Sequence, residues 1–211
     1  MVLPSLYPPN EGLNRTRNHA EHIGRCCPKA YWPRGFAPVR PAVMAKTMRY
    51  DEHEIERLYQ ENLSTARQLL ASLPVAEGRE PTTKGLNGWV YEQTISYCLS
   101  QELKALGKLP SMVEQVPLYG RAKIDLLVGK VAIEIKALGS FGNDVRKYTG
   151  YRTKVEEKGW TYCYLTRGET YRPYRLATKA VFGEERAFFL DIQGDWERFV
   201  KEVLKRNEEK P

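Results

Sequence analysis

Asp125, Glu134 and Lys136 combine residue types and a spacing that could support catalysis; they lie in K-I-D-L-L-V-G-K-V-A-I-E-I-K, residues 123–136. Hard divalent cations bind oxygen ligands, and Mg²⁺ typically takes one or two carboxylates together with water and a substrate phosphate. A lysine beside the ion can orient or acidify the attacking water, or balance the charge that builds on a phosphate. These residues therefore predict a metal site at which a lysine assists hydrolysis.

A tight hairpin would bring these three side chains together. Gly129-Lys130 separates two runs of alternating, β-branched residues, which is typical of a two-residue turn with glycine first. In that register Asp125 lies opposite Glu134, and side-chain alternation puts Lys136 on the same face as both acids. The other face is aliphatic and is predicted to be core; it carries Ile124, Leu126, Val128, Val131, Ile133 and Ile135.

The charged face of this hairpin has two interpretations. Like charges directly opposite each other on paired strands repel, so a sheet built only for stability would avoid placing Asp125 against Glu134. A bound divalent cation explains the pair. Alternatively, the face is an exposed surface on which Lys136 merely bridges the two acids, because exposed ion pairs are common and contribute little. We favour the metal site.

The motif Ile124-Asp125, eight intervening residues and then Glu134-Ile135-Lys136 resembles the catalytic core of the PD-(D/E)xK nuclease superfamily. Ile124 stands where a proline normally precedes the aspartate. The resemblance implies a restriction-endonuclease-like core in which one helix precedes the hairpin and another follows the lysine. It also implies that Asp125, Glu134 and the Ile135 carbonyl hold Mg²⁺, with Mn²⁺ as a substitute.

The resemblance covers about residues 84–167 and includes the helix before the hairpin. Apolar spacing predicts that this helix runs from the N-cap Asn87 to about Leu106. Glu92 lies three residues before Ile95, on the apolar stripe, where an acid is costly unless it is paired or metal-bound. A glutamate on this helix completes the metal site in many members of the superfamily, which implies that role for Glu92, directly or through water. The alternative is an acid at the edge of the stripe that pairs with a Lys or Arg.

A helix after the lysine offers residues that could contact nucleic acid. It is predicted to begin at an Asn143 cap, after a Gly-rich connector, and to end near Gly159. Some branches of the superfamily carry Gln-x3-Tyr here, and this chain has Lys147-x3-Tyr151, so the tyrosine matches and the glutamine does not. Lys147 could reach a phosphate, or the helix face could simply be solvated.

A second basic and aromatic cluster consists of Arg172, Tyr174 and Arg175, in a segment predicted as a strand over residues 170–175. It could line a nucleic-acid groove, because aromatic rings stack on bases and cations bind phosphates, although a surface strand explains it equally well. The other predicted elements are a packing helix capped by Asp51 that runs to about Leu73, strands over residues 111–119, 160–166 and 186–191, and a final amphipathic helix from Asp195.

Residues 1–47 differ in composition from the rest of the chain. They hold seven of the 13 prolines, and seven Lys or Arg against two Glu, with no lasting apolar periodicity. This composition predicts a Pro/Arg-rich irregular or disordered extension, followed by a nuclease-like domain over residues 48–211. Met44 and Met48 lie just before the first helical pattern, and either is a possible natural start.

The four cysteines do not form paired motifs. Cys98 falls in a helical pattern and Cys163 in a strand pattern, which favours buried free thiols in a cytoplasmic protein. Cys26 and Cys27 follow two histidines, but the spacing is unlike that of common structural zinc sites, so a flexible tail is the better interpretation. A basic tail that tracks phosphates is an intermediate alternative.

Length and charge set the remaining bounds. A chain of 211 residues suits one domain with an appendage. It has no apolar run near the ~20 residues of a membrane span and no signal-peptide pattern, so neither membrane nor export is indicated. The formal net charge of +7 favours a polyanionic partner, although most of the basic excess lies in residues 1–47.

Taken together, these patterns predict an α/β domain with a mixed central β-sheet flanked by α-helices. The predicted function is divalent-metal-dependent hydrolysis of phosphodiester bonds by a nuclease, in particular a DNA endonuclease, for which a homodimer is plausible. Two alternatives remain open. One is a nucleic-acid-binding or assembly subunit with the same fold and a vestigial metal site, and the other is a metal-dependent phosphoesterase acting on small nucleotides.

Overall fold

The computed structural model describes residues 50–72, 83–108, 110–138, 144–169 and 171–208. The predicted extension over residues 1–47 lies outside these ranges, with its histidines and cysteines, and so does the predicted cap Asn143. Over the described residues the chain forms α1 (Glu52–Ser72), α2 (Thr83–Ala105), β1 (Met112–Tyr119), β2 (Ala122–Val128), β3 (Val131–Lys136), α3 (Val145–Glu157), β4 (Thr161–Thr166), α4 (Arg172–Phe182), a 3₁₀ turn (Glu184–Arg186), β5 (Ala187–Phe189) and α5 (Asp195–Glu208).

The strands form one sheet in the order β1-β2-β3-β4-β5. The β1–β2 and β2–β3 pairs are antiparallel, whereas β3–β4 and β4–β5 are parallel. Each parallel pair is joined by a helix, because the chain must return along the sheet before it can start a parallel neighbour. The predicted α/β class with a mixed sheet flanked by helices is confirmed.

The β2–β3 hairpin has the predicted register. Leu126 pairs with Ile133, and Val128 pairs with Val131 across the turn. Gly129 adopts a positive φ of 57°, a conformation that glycine reaches without steric cost. Because side chains alternate along each strand, this register places the two acids and the lysine on one face and Leu126, Val128, Val131, Ile133 and Ile135 on the other. The predicted position of Ile124 is wrong, because this residue belongs to the buried cluster that contains Ala132 and Tyr162, beyond the last paired residues of the hairpin.

Both faces of the sheet are covered. Helices α3 and α4 pack on the face that carries Glu134, in an aromatic-rich cluster that includes Tyr148, Tyr162, Tyr164, Phe182 and Phe189. Helices α2 and α5 contact β3 on the opposite face, where Phe188 packs edge-on against Phe199 with ring centroids 5.2 Å apart. Helix α1 packs on α2, and its N-terminus is capped as predicted, since the Asp51 carboxylate accepts a hydrogen bond from the Glu54 N–H at 2.8 Å.

The predicted strand over residues 170–175 is wrong, because α4 begins at Arg172. The two tyrosines and the arginines of this segment are compatible with a strand, which favoured the wrong assignment. Pro173 lies in the first turn of the helix, where its missing N–H is not needed. The helical period then buries Thr178, Val181 and Phe182 against the sheet.

Two helix starts also differ from the prediction. Helix α2 begins at Thr83, so Asn87 lies inside the helix, where its side-chain oxygen accepts a hydrogen bond from Arg67 of α1 at 3.4 Å. Helix α3 begins at Val145 with Asp144 as N-cap. For α2, packing on α1 stabilises about one additional turn before the predicted cap Asn87.

Cys98 and Cys163 are buried free thiols, as predicted. Pro117 lies on the edge strand β1 beside a register shift, a position at which its missing backbone N–H is tolerated. None of the helices in the described ranges is long and apolar enough to cross a membrane.

Candidate active site

Asp125, Glu134 and Lys136 meet on one face of the hairpin. The ammonium nitrogen of Lys136 lies 2.5 Å from Glu134 Oε1 and 3.5 Å from Asp125 Oδ2. The exposed fraction of the side chain is 3% for Glu134, 13% for Asp125 and 30% for Lys136. Lys136 bridges the two acids, as in the alternative interpretation, but both acids are largely buried, so they do not lie on an exposed surface. The site opens to solvent on the side of Lys136.

Asp125 lies where the two strands of the hairpin part. The pairing of β2 with β3 ends at Leu126 and Ile133. Beyond this point Asp125 Oδ2 accepts a hydrogen bond from the Ile135 N–H at 2.8 Å. The N–H and the C=O of one strand residue point to the same side. The Ile135 carbonyl therefore faces the Asp125 side of β3, which is the placement that a backbone ligand to a shared cation requires.

Glu92 on α2 is half-buried and lies within electrostatic reach of the same cluster. Burial, followed by the nearby Asp125 carboxylate, raises the pKa of Glu92 to about 8, although Lys136 opposes this shift. Glu92 Oε2 accepts a hydrogen bond from the Gln115 side-chain amide at 3.2 Å. The hydrogen-bond partner found for Glu92 is thus a neutral amide, not the Lys or Arg of the alternative interpretation.

The charges within the site shift one another's pKa values. Burial, and then Asp125, raise the pKa of Glu134, while Lys136 lowers it. Burial by itself would lower the pKa of Lys136, but Glu134 and Asp125 outweigh burial and hold that pKa above its ordinary value. Lys136 is therefore a permanent cation here, suited to donating hydrogen bonds and balancing charge and unsuited to accepting a proton.

The donor set can be tested against a divalent cation. No group of three or more His, Cys, Asp or Glu side chains gathers around one point in the part of the chain that the structure describes. Mg²⁺ does not require one, since it keeps several waters and uses one or two carboxylates. Asp125, Glu134 and the Ile135 carbonyl fit that demand, and the Lys136 ammonium already lies where a cation faces both acids. Glu92 would act through water.

Helix α3 brings Lys147 and Tyr151 to the edge of this site. The Lys147 ammonium lies 4.9 Å from the centre of the Tyr148 ring and 5.4 Å from that of Tyr151. It is exposed, and its charge contributes to lowering the pKa of Glu134. Tyr151 in turn packs edge-on against Tyr119 of β1, with ring centroids 5.7 Å apart. Both predicted residues thus lie on one side of the acid–lysine cluster.

The two arginines of α4 differ from each other. Arg172 is exposed at the start of the helix. Arg175 forms an ion pair with Asp191 at 2.6 Å, donates two hydrogen bonds to the Glu169 carbonyl, and stacks over Phe189 at 4.8 Å. These contacts give Arg175 a structural role, so of the two only Arg172 presents an uncommitted cation to solvent in the described structure.

The sequence prediction missed Tyr162, which touches one of the acids, whereas Gln115 lies on the predicted strand before the hairpin and could be expected to flank the site. The Tyr162 hydroxyl on β4 donates a hydrogen bond to Glu134 Oε2 at 3.3 Å. Gln115, which contacts Glu92, has a φ of 53°, an unusual value for a residue other than glycine. An aromatic residue with a polar tip on a buried strand was a visible signal for Tyr162, but its partner could not be read without the register of β3 and β4.

Compared with protein-family models, with curated proteins and with solved structures, the chain gives no significant match to any of them.

Proposed function

We propose that this chain is a divalent-metal-dependent nuclease of the PD-(D/E)xK superfamily, with a restriction-endonuclease-like core, that hydrolyses phosphodiester bonds in DNA as an endonuclease. The observation that carries the proposal is the convergence of Asp125, Glu134 and Lys136 on a buried sheet face that opens to solvent on the lysine side. A buried carboxylate pair is costly without a cation, and one lysine balances only one of the two charges.

Each residue of the site has a distinct role in this proposal. Asp125, Glu134 and the Ile135 carbonyl would hold Mg²⁺, or Mn²⁺ as a substitute. The bound ion would polarise the phosphate and lower the pKa of a coordinated water. Lys136, as a permanent cation, would orient the attacking water by hydrogen bonding and stabilise the negative charge that develops on the phosphate. Glu92 would hold a water of the metal shell.

The order of the elements also supports the proposal. Helix α2 carries Glu92, the β2–β3 hairpin carries the acids and the lysine, and α3 connects β3 to the parallel strand β4. The resemblance to the superfamily implies the same order, with one helix before the hairpin and another after the lysine. The basic residues Lys147 and Arg172 on the neighbouring helices could bind phosphates of the substrate.

The proposal is tested by incubating the purified chain with supercoiled, linear and branched DNA, and with RNA, in Mg²⁺, Mn²⁺ or EDTA. We expect metal-dependent cutting of DNA that disappears in Lys136→Ala. Lys130→Ala is the matched control, because it removes an exposed lysine from the turn of the same hairpin. Cutting that survives in Lys136→Ala would refute the assigned mechanism.

The substrates in this experiment also separate the alternatives. DNA binding without cutting in any metal would indicate a binding or assembly subunit with a vestigial site. Turnover of free nucleotides without cutting of DNA or RNA would indicate a phosphoesterase that acts on small substrates. Nicking of a closed circular plasmid would establish an endonuclease, because an exonuclease needs a free end.

A further inference from the structure

Tyr162 contacts the more deeply buried acid of the site. Its hydroxyl donates a hydrogen bond to Glu134 Oε2 at 3.3 Å, while the other oxygen, Oε1, lies 2.5 Å from the Lys136 ammonium. Tyr162 is fully buried and Glu134 is 3% exposed. The two oxygens of Glu134 are therefore distinguished by their partners, with one facing the core and one facing the opening.

The hydroxyl of Tyr162 is not needed to fill space. Its ring packs against Phe182 in an aromatic cluster, with ring centroids 4.8 Å apart, and a phenylalanine would make the same ring contacts. A buried phenol oxygen without a hydrogen-bond partner is costly, and at Tyr162 this cost is offset because Glu134 accepts the hydrogen bond of the hydroxyl. The contact with Glu134 gives the hydroxyl its role.

The strand register explains how Tyr162 reaches this acid. In the parallel β3–β4 ladder Tyr162 lies beside Ala132, and Tyr164 lies beside Glu134. Alternation places Ala132 and Glu134 on the same face, two residues apart. Because Ala132 has only a methyl side chain, the ring of Tyr162 has room to lean along the sheet toward Glu134.

We propose that Tyr162 positions Glu134 so that Oε1 alone can bind a cation, and that this one-oxygen ligation favours Mg²⁺ and Mn²⁺ over Ca²⁺. Mg²⁺ requires near-octahedral geometry at short distances, whereas Ca²⁺ accepts carboxylates through one or both oxygens in a looser shell. A hydrogen-bonded partner behind a ligand fixes the orientation of that ligand. The inference rests on the proposed function, because it assigns Tyr162 to the same metal site.

The test is calorimetric titration of the full chain with Mg²⁺, Mn²⁺ and Ca²⁺ separately, as wild type and as Tyr162→Phe. We expect the variant to lose about 10-fold or more in affinity for Mg²⁺ and Mn²⁺, as is typical when the partner of a ligand is removed, and to lose less for Ca²⁺. The matched control is Tyr91→Phe, which also removes one fully buried hydroxyl. In the described part of the chain the Tyr91 hydroxyl has no hydrogen-bond partner, so this variant should bind all three ions as the wild type does.

The outcomes distinguish this inference from the proposed function. If the wild type binds none of the three ions, the proposed metal-dependent function fails and the role of Tyr162 fails with it. If the wild type binds Mg²⁺ and Tyr162→Phe keeps the same ratio of Mg²⁺ to Ca²⁺ affinity, the proposed function stands and only the role of Tyr162 is refuted. An equal loss for all three ions also refutes it, because it would indicate general loosening of the site.

A measurement on the wild type covers the case in which Tyr162→Phe does not fold. Infrared difference spectra between the Mg²⁺-loaded and metal-free protein report whether a carboxylate binds through one oxygen or two, from the separation of its two stretching bands. Glu134→Gln identifies the band of this residue. We expect the one-oxygen pattern for Glu134, and a two-oxygen pattern would overturn the inference.

Discussion

The Asp125 carboxylate accepts a hydrogen bond from the Ile135 N–H at 2.8 Å, just beyond the last paired residues of the β2–β3 hairpin. A side chain thus replaces a backbone acceptor where the strands part. This contact keeps the carboxylate beside the chain that carries Glu134 and Lys136. Asp125 therefore has a structural role in addition to the metal-binding role proposed for it, and the two can be separated by mutation.

Asp125→Asn is expected to abolish metal binding and cleavage while preserving the fold. The amide oxygen of asparagine can still accept the hydrogen bond from Ile135, but it lacks the charge. Asp125→Ala should in addition destabilise the protein by about 1–3 kcal/mol, because it leaves a buried N–H without a partner. Urea unfolding and plasmid cleavage measure the two effects. Cleavage by Asp125→Asn at the wild-type rate would contradict the assignment.

Glu92→Gln is expected to change how stability depends on pH in the absence of metal. The folded protein holds the Glu92 proton up to about pH 8, while the unfolded chain releases it near pH 4.5, so wild-type stability falls as pH rises between these values. Glutamine has no such proton. The variant should therefore match the wild type at pH 5 and exceed it at pH 8 by roughly 1–3 kcal/mol after allowance for screening at this half-buried site.

Urea unfolding in EDTA across this pH range checks the Glu92 prediction. Ser100→Ala is the control, because it removes a partly buried polar side chain from the same helix without removing a titratable group. Its stability difference from the wild type should be the same at pH 5 and pH 8. A difference between Glu92→Gln and wild type that is the same at pH 5 and pH 8 would show that burial does not hold a proton on Glu92.

Gly129→Ala is expected to destabilise the hairpin turn strongly. The residue has a φ of 57°, and an added Cβ would lie 1.9 Å from the side-chain oxygen of Asn207. That oxygen accepts a hydrogen bond from the Lys130 N–H at 2.9 Å, and the Asn207 side-chain N–H donates one to the Val128 carbonyl at 3.1 Å. Because both hydrogen bonds hold the Asn207 side chain against the turn, it cannot easily move away from an added Cβ.

Gly120→Ala is the matched control for the turn. Gly120 has a similar φ of 52°, but an added Cβ would meet nothing within 4 Å, so it should carry only the conformational cost of about 1–2 kcal/mol. Thermal unfolding of both variants measures the difference. If the two substitutions destabilise the protein equally, Asn207 does not clamp the turn.

Lys147→Ala is expected to weaken DNA binding with little effect on stability, and to reduce the slope of log affinity against log salt concentration by about one. Arg175→Ala should instead destabilise the protein, because its guanidinium joins Asp191, the Glu169 carbonyl and the Phe189 ring. Fluorescence anisotropy with catalytically inactive Asp125→Asn as background measures binding, and thermal unfolding measures stability. An unchanged salt slope in Lys147→Ala would remove this residue from the nucleic-acid surface.

The sequence by itself determined the local arrangement of the candidate site. A glycine-first turn between two alternating runs sets the hairpin register, because a one-residue slip would move every aliphatic side chain to the opposite face. Asp125, Glu134 and Lys136 share a face for that reason, and the buried Cys98 and Cys163 follow from equally local patterns. The α/β class followed from helices alternating with strands.

Only the tertiary structure decided what surrounds these residues. Residues 172–175 became the start of α4 because the helical period buries Val181 and Phe182 against the sheet, a packing term that outweighs the strand preference of the tyrosines. Tyr162 and Glu134 are 28 residues apart in the chain. They meet across a parallel strand pair whose register depends on how α3 packs. Contacts of this kind depend on how separate elements meet, and no local spacing in the sequence encodes them.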